Sequence, residues 1–266
     1  MRFKNLTQLK RAEPTEVTFS TLPQVIQITP YAKQKAFIIC DTVEVVFGQD
    51  YEWYGYTLAD STNPELIIDI GLPKNDLNLH DYATLGPARI AEFQEQLPHH
   101  LIINGWIHSH GSLDYRHFST TDEENHRTVL DFVAARTRKP LAKREMTIEG
   151  LTLLVKDRFT DGDLAHGSVA LITDAPIREV KIMETVYGSF CYCVVVGSGG
   201  WHEQVILYQE RAALSSRVRV ASQAAQIVEV DTGAGMTPAE MEALREEVRT
   251  KIRPNLNPPL ERMERM

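Results

Sequence analysis

Apolar residues along this chain follow two spacings, one typical of strands and one typical of helices. Residues 24–28, 66–70 and 190–196 are continuously apolar or alternate at period two, which predicts strands of a sheet. Residues 30–47 and 88–97 carry apolar side chains every three or four positions, which predicts helices packed on that sheet. Strands and helices mixed in this order predict an α/β (α+β) fold.

Capping residues mark the start of two predicted helices, and one of them also has a marked end. Thr29 and Pro30 are typical of a helix start, and Gly48 is typical of a helix end. Residues 237–240 have the spacing of a capping box and open a second helix. One apolar stripe follows, made of Met241, Leu244, Val248 and Ile252. We expect this last helix to dock on its own domain.

The pattern divides the chain into three parts. Residues 1–22 are a polar arm, residues 23–215 form the main domain, and residues 216–266 form a C-terminal helical extension and tail. Within the main domain, residues 136–186 are interpreted as an insertion between core elements, and its first part, a basic run, as a solvated loop. Residues 209–222 are expected to be helical in part.

Composition narrows the classes of protein. The chain has 266 residues, of which 43% are hydrophobic, enough for a packed core. No apolar run approaches the roughly 20 residues of a membrane span, and the N-terminus lacks the apolar stretch of a secretory signal. Cys40, Cys191 and Cys193 are too few for a disulfide framework. We therefore expect a cytoplasmic protein without a membrane partner, and the net charge of −8 argues against broad nucleic-acid binding.

One stretch carries candidate chemistry. His108 and His110 follow an apolar strand predicted from residue 99, and period-two alternation places both imidazoles on the same face. Ser119 and Asp122 stand where the next helix should begin. Two imidazoles and a carboxylate, with water as a fourth ligand, make up a catalytic zinc site. The histidine pair and the Ser119/Asp122 pair each also have a structural explanation. Edge-strand histidines are common, and Ser119-x-x-Asp122 is a capping box.

The segment Gly105-Trp-Ile-His-Ser-His110, followed by Ser119-Thr-Thr-Asp122, resembles the JAMM (MPN+) metalloprotease family. That family has an upstream glutamate, then His-x-His, seven residues, Ser, two residues and Asp. The resemblance implies an MPN/JAB-like mixed β-sheet flanked by helices, with the layering of cytidine deaminases.

The loop between the two halves of the motif departs from the family pattern. Eight residues separate His110 from Ser119, and Gly111 stands where the family often has proline. The longer loop leaves His117 and Asp114 as substitute ligands. Asp122 is favoured, because a loop absorbs one residue more easily than a helix start can be re-aimed.

The resemblance also implies roles for individual residues. It places one Zn²⁺ per chain on three protein ligands: His108, His110 and Asp122. Glu52 becomes the general base, with Glu44 as a competitor that lies inside a helix pattern, and Ser119 becomes a donor to the oxyanion. Tyr115 and Arg116, in the longer loop, are expected to line the substrate channel.

The function implied is hydrolysis of the peptide or isopeptide bond after the C-terminal tail of ubiquitin or a ubiquitin-like protein. An extended tail would bind by strand addition beside the site. Two other classes stay open. One is a related metallohydrolase acting on cell-wall peptides or nucleic-acid-linked substrates, and the other is a non-catalytic MPN scaffold.

Overall fold

A computed structural model describes residues 16–74, 86–111, 116–149, 179–233 and 235–252. The helices of this part of the chain are α1 (Pro30–Phe47), α2 (Pro87–Gln96), α3 (Thr120–Thr137) and α4 (Pro238–Lys251). The strands are β1 (Val17–Thr18), β2 (Ile26–Ile28), β3 (Tyr54–Asp60), β4 (Leu66–Ile67), β5 (Asp69–Gly71), β6 (Leu101–His108), β7 (Lys139–Glu149), β8 (Glu179–Gly197), β9 (Gly200–Ala212), β10 (Val218–Ala224) and β11 (Ile227–Glu229).

Strand β8 is the centre of an eight-stranded mixed sheet. The sheet runs in the order β1-β7-β8-β6-β3-β5, and β9 and β10 continue it from β8. Strands β6 and β8 are parallel, whereas β3 and β9 run antiparallel to their neighbours β6 and β8. A second sheet, of order β11-β2-β4, is parallel throughout. The fold is therefore mixed α/β, as the sequence predicts.

Helices cover both faces of the large sheet. On one face, Ile107 and Val194 pack in a cluster with α1 and α4. On the other face, Trp106 and Cys193 pack in a second cluster with α2 and α3. Because neighbouring strand residues point to opposite faces, burial of both faces explains the continuous apolar runs in β6 and β8.

The predicted helix boundaries are confirmed. Thr29 accepts a hydrogen bond from the backbone N–H of Ala32, and Gly48 ends α1 with φ +78°. Thr237 likewise accepts from the N–H of Glu240 at the start of α4. The buried stripe of α4 packs against α1, so this helix docks on its own domain as expected.

Three expectations from the sequence are wrong. Residues 66–70 are not one strand but two, because Leu66–Ile67 pairs with β2 while Asp69–Gly71 pairs with β3. Residues 209–222 are not helical: they include the end of β9 and most of β10, which pair with each other. The basic run after Ala135 is not a solvated loop, since α3 continues to Thr137 and β7 follows at Lys139.

Two cations of that basic run form ion pairs with other parts of the fold. Lys139 Nζ lies 2.8 Å from Glu65 Oε1, and Arg144 Nη1 lies 2.9 Å from Glu210 Oε2.

In the part of the chain described, no helix combines the length and the apolarity needed to cross a bilayer.

Candidate metal centre

His108 is the last residue of β6 and faces α3. Its ring stacks on Trp106, with 4.3 Å between the ring centroids and an interplanar angle of 23°. Both residues share the face that packs on α3, because they stand two positions apart on one strand. Trp106 is almost fully buried, so it forms a rigid floor under the imidazole.

His110 lies just beyond the strand, where the chain stays paired with the residues that precede β3. The N–H of Ser109 donates to the carbonyl of Trp53 at 2.9 Å. Gly111 then turns the chain with φ +57°, and a Cβ there would lie 2.9 Å from the Glu52 nitrogen. Glycine is needed at this turn for both its conformation and its size. The turn holds His110 close to Glu52.

Asp122 comes from the first turn of α3. Ser119 is the N-cap, and its hydroxyl accepts from the Asp122 N–H at 3.2 Å. Asp122 Oδ2 accepts from the N–H of Ser119 at 2.7 Å and from its hydroxyl at 2.8 Å. The capping box predicted from the spacing is therefore present. It occupies Oδ2 and leaves Oδ1 directed at His108.

The three side chains converge on one point. Asp122 Oδ1 lies 3.3 Å from His108 Nε2, and Asp122 Oδ2 lies 3.7 Å from His110 Nε2. One ligand atom from each residue falls within a group whose members lie no more than 4.8 Å apart. Buried polar atoms normally have hydrogen-bond partners. Among the described residues, His108 Nε2 and Asp122 Oδ1, which face each other, are buried without a hydrogen bond, as expected of atoms arranged to hold a cation.

The electrostatics around His108 and Asp122 favour their deprotonated forms. Burial lowers the pKa of His108, despite the opposing effect of the Asp122 carboxylate. Burial acts against ionised Asp122, but His108 and the hydrogen bonds from Ser119 outweigh it and hold the pKa of Asp122 well below its usual range. Neutral imidazoles and an ionised carboxylate are the forms that bind metals. This buried group could therefore hold a metal ion.

Glu52 stands beside the three ligands without belonging to the group. Its Oε1 lies 3.7 Å from His110 Nδ1, and its side chain is 29% exposed. A carboxylate at this position has access both to the site and to solvent. Glu44, the alternative base, is exposed on α1.

The loop residues expected near the site divide into two groups. Asp114 and Tyr115 lie outside the described residues. His117 has a side chain that is 77% exposed, and its Nδ1 lies 3.5 Å from Glu203 Oε2 rather than at the ligand group. Arg116 is exposed.

Sequence reasoning missed Glu203. Its Oε2 accepts a hydrogen bond from the N–H of Phe118 at 2.6 Å, directly before the N-cap of α3. Glu203 therefore anchors the end of the longer loop and helps to position Asp122. Glu203 is one of several polar residues of β9, and nothing in the local pattern linked it to residue 118.

No protein-family model matches the chain, and no curated protein matches it significantly.

Proposed function

We propose that this chain is a zinc-dependent isopeptidase that hydrolyses the bond after the C-terminal tail of ubiquitin or a ubiquitin-like protein. The observation that carries the proposal is the buried convergence of His108, His110 and Asp122, with Glu52 beside it. The fold is proposed to be the MPN/JAB arrangement, with its cytidine-deaminase-like layers. The mixed sheet with helices on both faces supports this, as does the chain order Glu52, His-x-His, Ser-x-x-Asp.

The ligand set suits zinc, which takes imidazole and carboxylate ligands in tetrahedral sites. When bound, the ion would polarise the scissile carbonyl and lower the pKa of a water molecule toward neutrality. Three protein ligands leave a fourth position open, which distinguishes a catalytic from a structural site.

Glu52 is proposed as the general base. It takes a proton from the attacking water and later delivers it to the leaving amine. Its side chain is only partly buried, which allows proton exchange with solvent between the two steps.

Ser119 is proposed to have two tasks. In the resting arrangement its hydroxyl donates to Asp122 Oδ2 at 2.8 Å and so orients the ligand. Rotation about the Cβ–Oγ bond would redirect the same proton to the oxyanion of the tetrahedral species, where one good donor contributes about 10²–10³ in rate. The N–H of Ser119 continues to hold the carboxylate while the hydroxyl rotates.

The substrate class rests on the family resemblance. Arg116, which is exposed, and Tyr115 are proposed to contact the incoming tail from the loop that follows the histidines. The three cysteines are buried and unbridged, in keeping with the cytoplasm as the expected compartment.

The decisive experiment replaces Glu52 by glutamine, which keeps size and hydrogen bonding but cannot accept the proton. We expect zinc content to be unchanged and turnover to fall by about 10²–10⁴. The assay is cleavage of a ubiquitin-like protein with a reporter at its C-terminus, with metal measured in the same samples. Glu44→Gln, on exposed α1, is the matched control and should retain full activity.

Each contrary result has a distinct meaning. Loss of zinc in Glu52→Gln would make Glu52 a ligand, and unchanged turnover would assign the base elsewhere. A wild type that binds zinc but cleaves none of several modifiers would refute the isopeptidase. Cell-wall peptides and branched DNA, tested in parallel, would then separate another hydrolase from a scaffold.

A further inference from the structure

The end of the β8–β9 hairpin contains an irregularity next to the metal centre. Val195 pairs with Glu203, whereas the next residue, Val196, pairs with Trp201. His202 is therefore an extra residue without a partner on β8, which is a β-bulge. Bulges re-aim a side chain relative to the regular alternation of a strand.

The contact between the His202 ring and Gly197 shows where the ring points. A Cβ added to Gly197 would lie 2.5 Å from Cε1 and 2.8 Å from Nε2 of His202, so the ring lies directly on this glycine. Gly197 is two positions after Val195, whose partner Glu203 faces the loop before α3. The bulge therefore turns His202 onto the face that carries the metal centre.

Strand register places this ring in line with His110. The parallel pair β6–β8 ends with His108 level with Val195, and continuing this register by two residues brings His110 level with Gly197. In the antiparallel pair β3–β6, Tyr54 is level with His108, so Glu52 is level with His110. Neighbouring strands lie about 4.8 Å apart. His110 therefore stands in the middle of a row, with Glu52 on one side and Gly197, under the His202 ring, on the other.

We propose that His202 is a substrate-contacting residue that hydrogen-bonds the backbone of the peptide entering the metal centre, on the side opposite Glu52. The inference rests on the proposed function and adds a substrate-binding residue on the side of the site opposite Glu52. Among the described residues, His202 Nδ1 is buried without a hydrogen-bond partner, so this nitrogen is not committed to a structural hydrogen bond.

The chemistry of the ring suits this role. Burial, followed by the nearby charges of Arg116 and His110, lowers the pKa of His202. An imidazole carries an N–H in either protonation state, so the ring can donate to a peptide carbonyl or carboxylate.

The test uses three variants and one control. His202→Ala removes the ring, His202→Gln keeps an N–H donor, and Gly197→Ala displaces the ring by crowding it. His100→Ala removes an exposed histidine at the other end of β6 and is the control. All are loaded with Co²⁺ and titrated with diglycine, which has one amide and one carboxylate, while the visible spectrum of the metal is followed.

We expect every variant to bind about one Co²⁺. His202→Ala and Gly197→Ala should bind diglycine roughly tenfold more weakly, the usual worth of one hydrogen bond, with part of the affinity restored in His202→Gln. In cleavage assays of a ubiquitin-like fusion, the same loss should appear mainly in KM, because the contact is made already in the ground state.

The two proposals fail in different ways. Unchanged diglycine affinity in His202→Ala, with wild-type cleavage intact, overturns the role of His202 alone. Diglycine binding that depends on His202 in a protein that cleaves no modifier overturns the isopeptidase and supports the contact. A wild type that binds no Co²⁺ overturns both.

Discussion

Replacing Gly111 by alanine tests the contact that holds Glu52 beside His110. The new Cβ would lie 2.9 Å from the Glu52 nitrogen, 2.9 Å from the Tyr51 carbonyl carbon and 3.0 Å from the Asp50 oxygen. All three are backbone atoms, which cannot rotate away as the end of a flexible side chain can. Residues 50–52 must therefore move, and Glu52 moves with them.

Two costs add up in this variant. Gly111 has φ +57°, and the left-handed region costs a residue with a Cβ about 1–2 kcal/mol. Crowding a packed region costs a further 1–3 kcal/mol, approximately. We expect Gly111→Ala to lower the free energy of unfolding by about 2–5 kcal/mol. Turnover should fall as well, because the carboxylate of Glu52 is displaced from the site.

Gly48→Ala is the matched control for the cost of placing a Cβ at a positive φ. Gly48 also has a positive φ, +78°, but nothing lies within 4 Å of its added Cβ. Gly48→Ala should lower the free energy of unfolding by only about 1–2 kcal/mol and leave turnover unchanged. Urea unfolding, bound zinc and cleavage are measured on both variants. Equal destabilisation by the two substitutions, with equal turnover, would refute the contact between Gly111 and the Glu52 segment.

Further predictions concern the ligands and the residues around them. Purified protein should contain about one zinc per chain, and elemental analysis should show most of it lost in Asp122→Ala but retained in His117→Ala. Burial lowers the pKa of His126 from 6.5 to about 3, so its contribution to stability is complete above pH 6.5 and is lost as pH falls toward 3. Urea unfolding of metal-free protein should accordingly show a pH slope that is smaller in His126→Leu by roughly 1.4 kcal/mol per pH unit across that window. Glu203→Ala leaves the N–H of Phe118 without its acceptor and should cost about 1–3 kcal/mol in the same assay, whereas Glu203→Gln should cost less.

Opposite results would identify the faulty step in each case. Zinc kept in Asp122→Ala and lost in His117→Ala would mean that the longer loop supplies the ligand. Identical pH slopes would mean that His126 is protonated in the folded protein without cost. Equal stability of Glu203→Ala and wild type would mean that water replaces the carboxylate at Phe118.

Much of the local structure could be predicted because its causes are local. Thr29, Pro30 and Gly48 bound α1 through hydrogen bonds and dihedral angles within a few residues of one another. The capping box of α3 likewise depends only on Ser119 and Asp122. The short spacing from His110 to Asp122 also allowed a compact ligand group to be predicted, and the structure brings these side chains together.

Strand assignments failed where the deciding partner is distant in sequence. Residues 218–224 are all exposed and carry no amphipathic signal strong enough to exclude a helix. They form β10 because their backbone pairs with β9. The division of residues 66–70 into β4 and β5 has the same origin, because β4 pairs with β2 whereas β5 pairs with β3. Backbone hydrogen bonds of a strand are made by another strand, so the isolated segment does not determine its own structure.

The sequence by itself determined the helix ends, the mixed α/β class and the candidate ligands His108, His110 and Asp122. Only the tertiary structure decided that Glu52 lies beside His110, that Glu203 anchors the loop before α3, and that a bulge turns His202 toward the site. These contacts join residues separated by 58 to more than 80 positions, and each depends on strand register or on a single glycine that permits close approach. Local patterns carry no information about register between strands, which is set when the faces of the sheet are buried together.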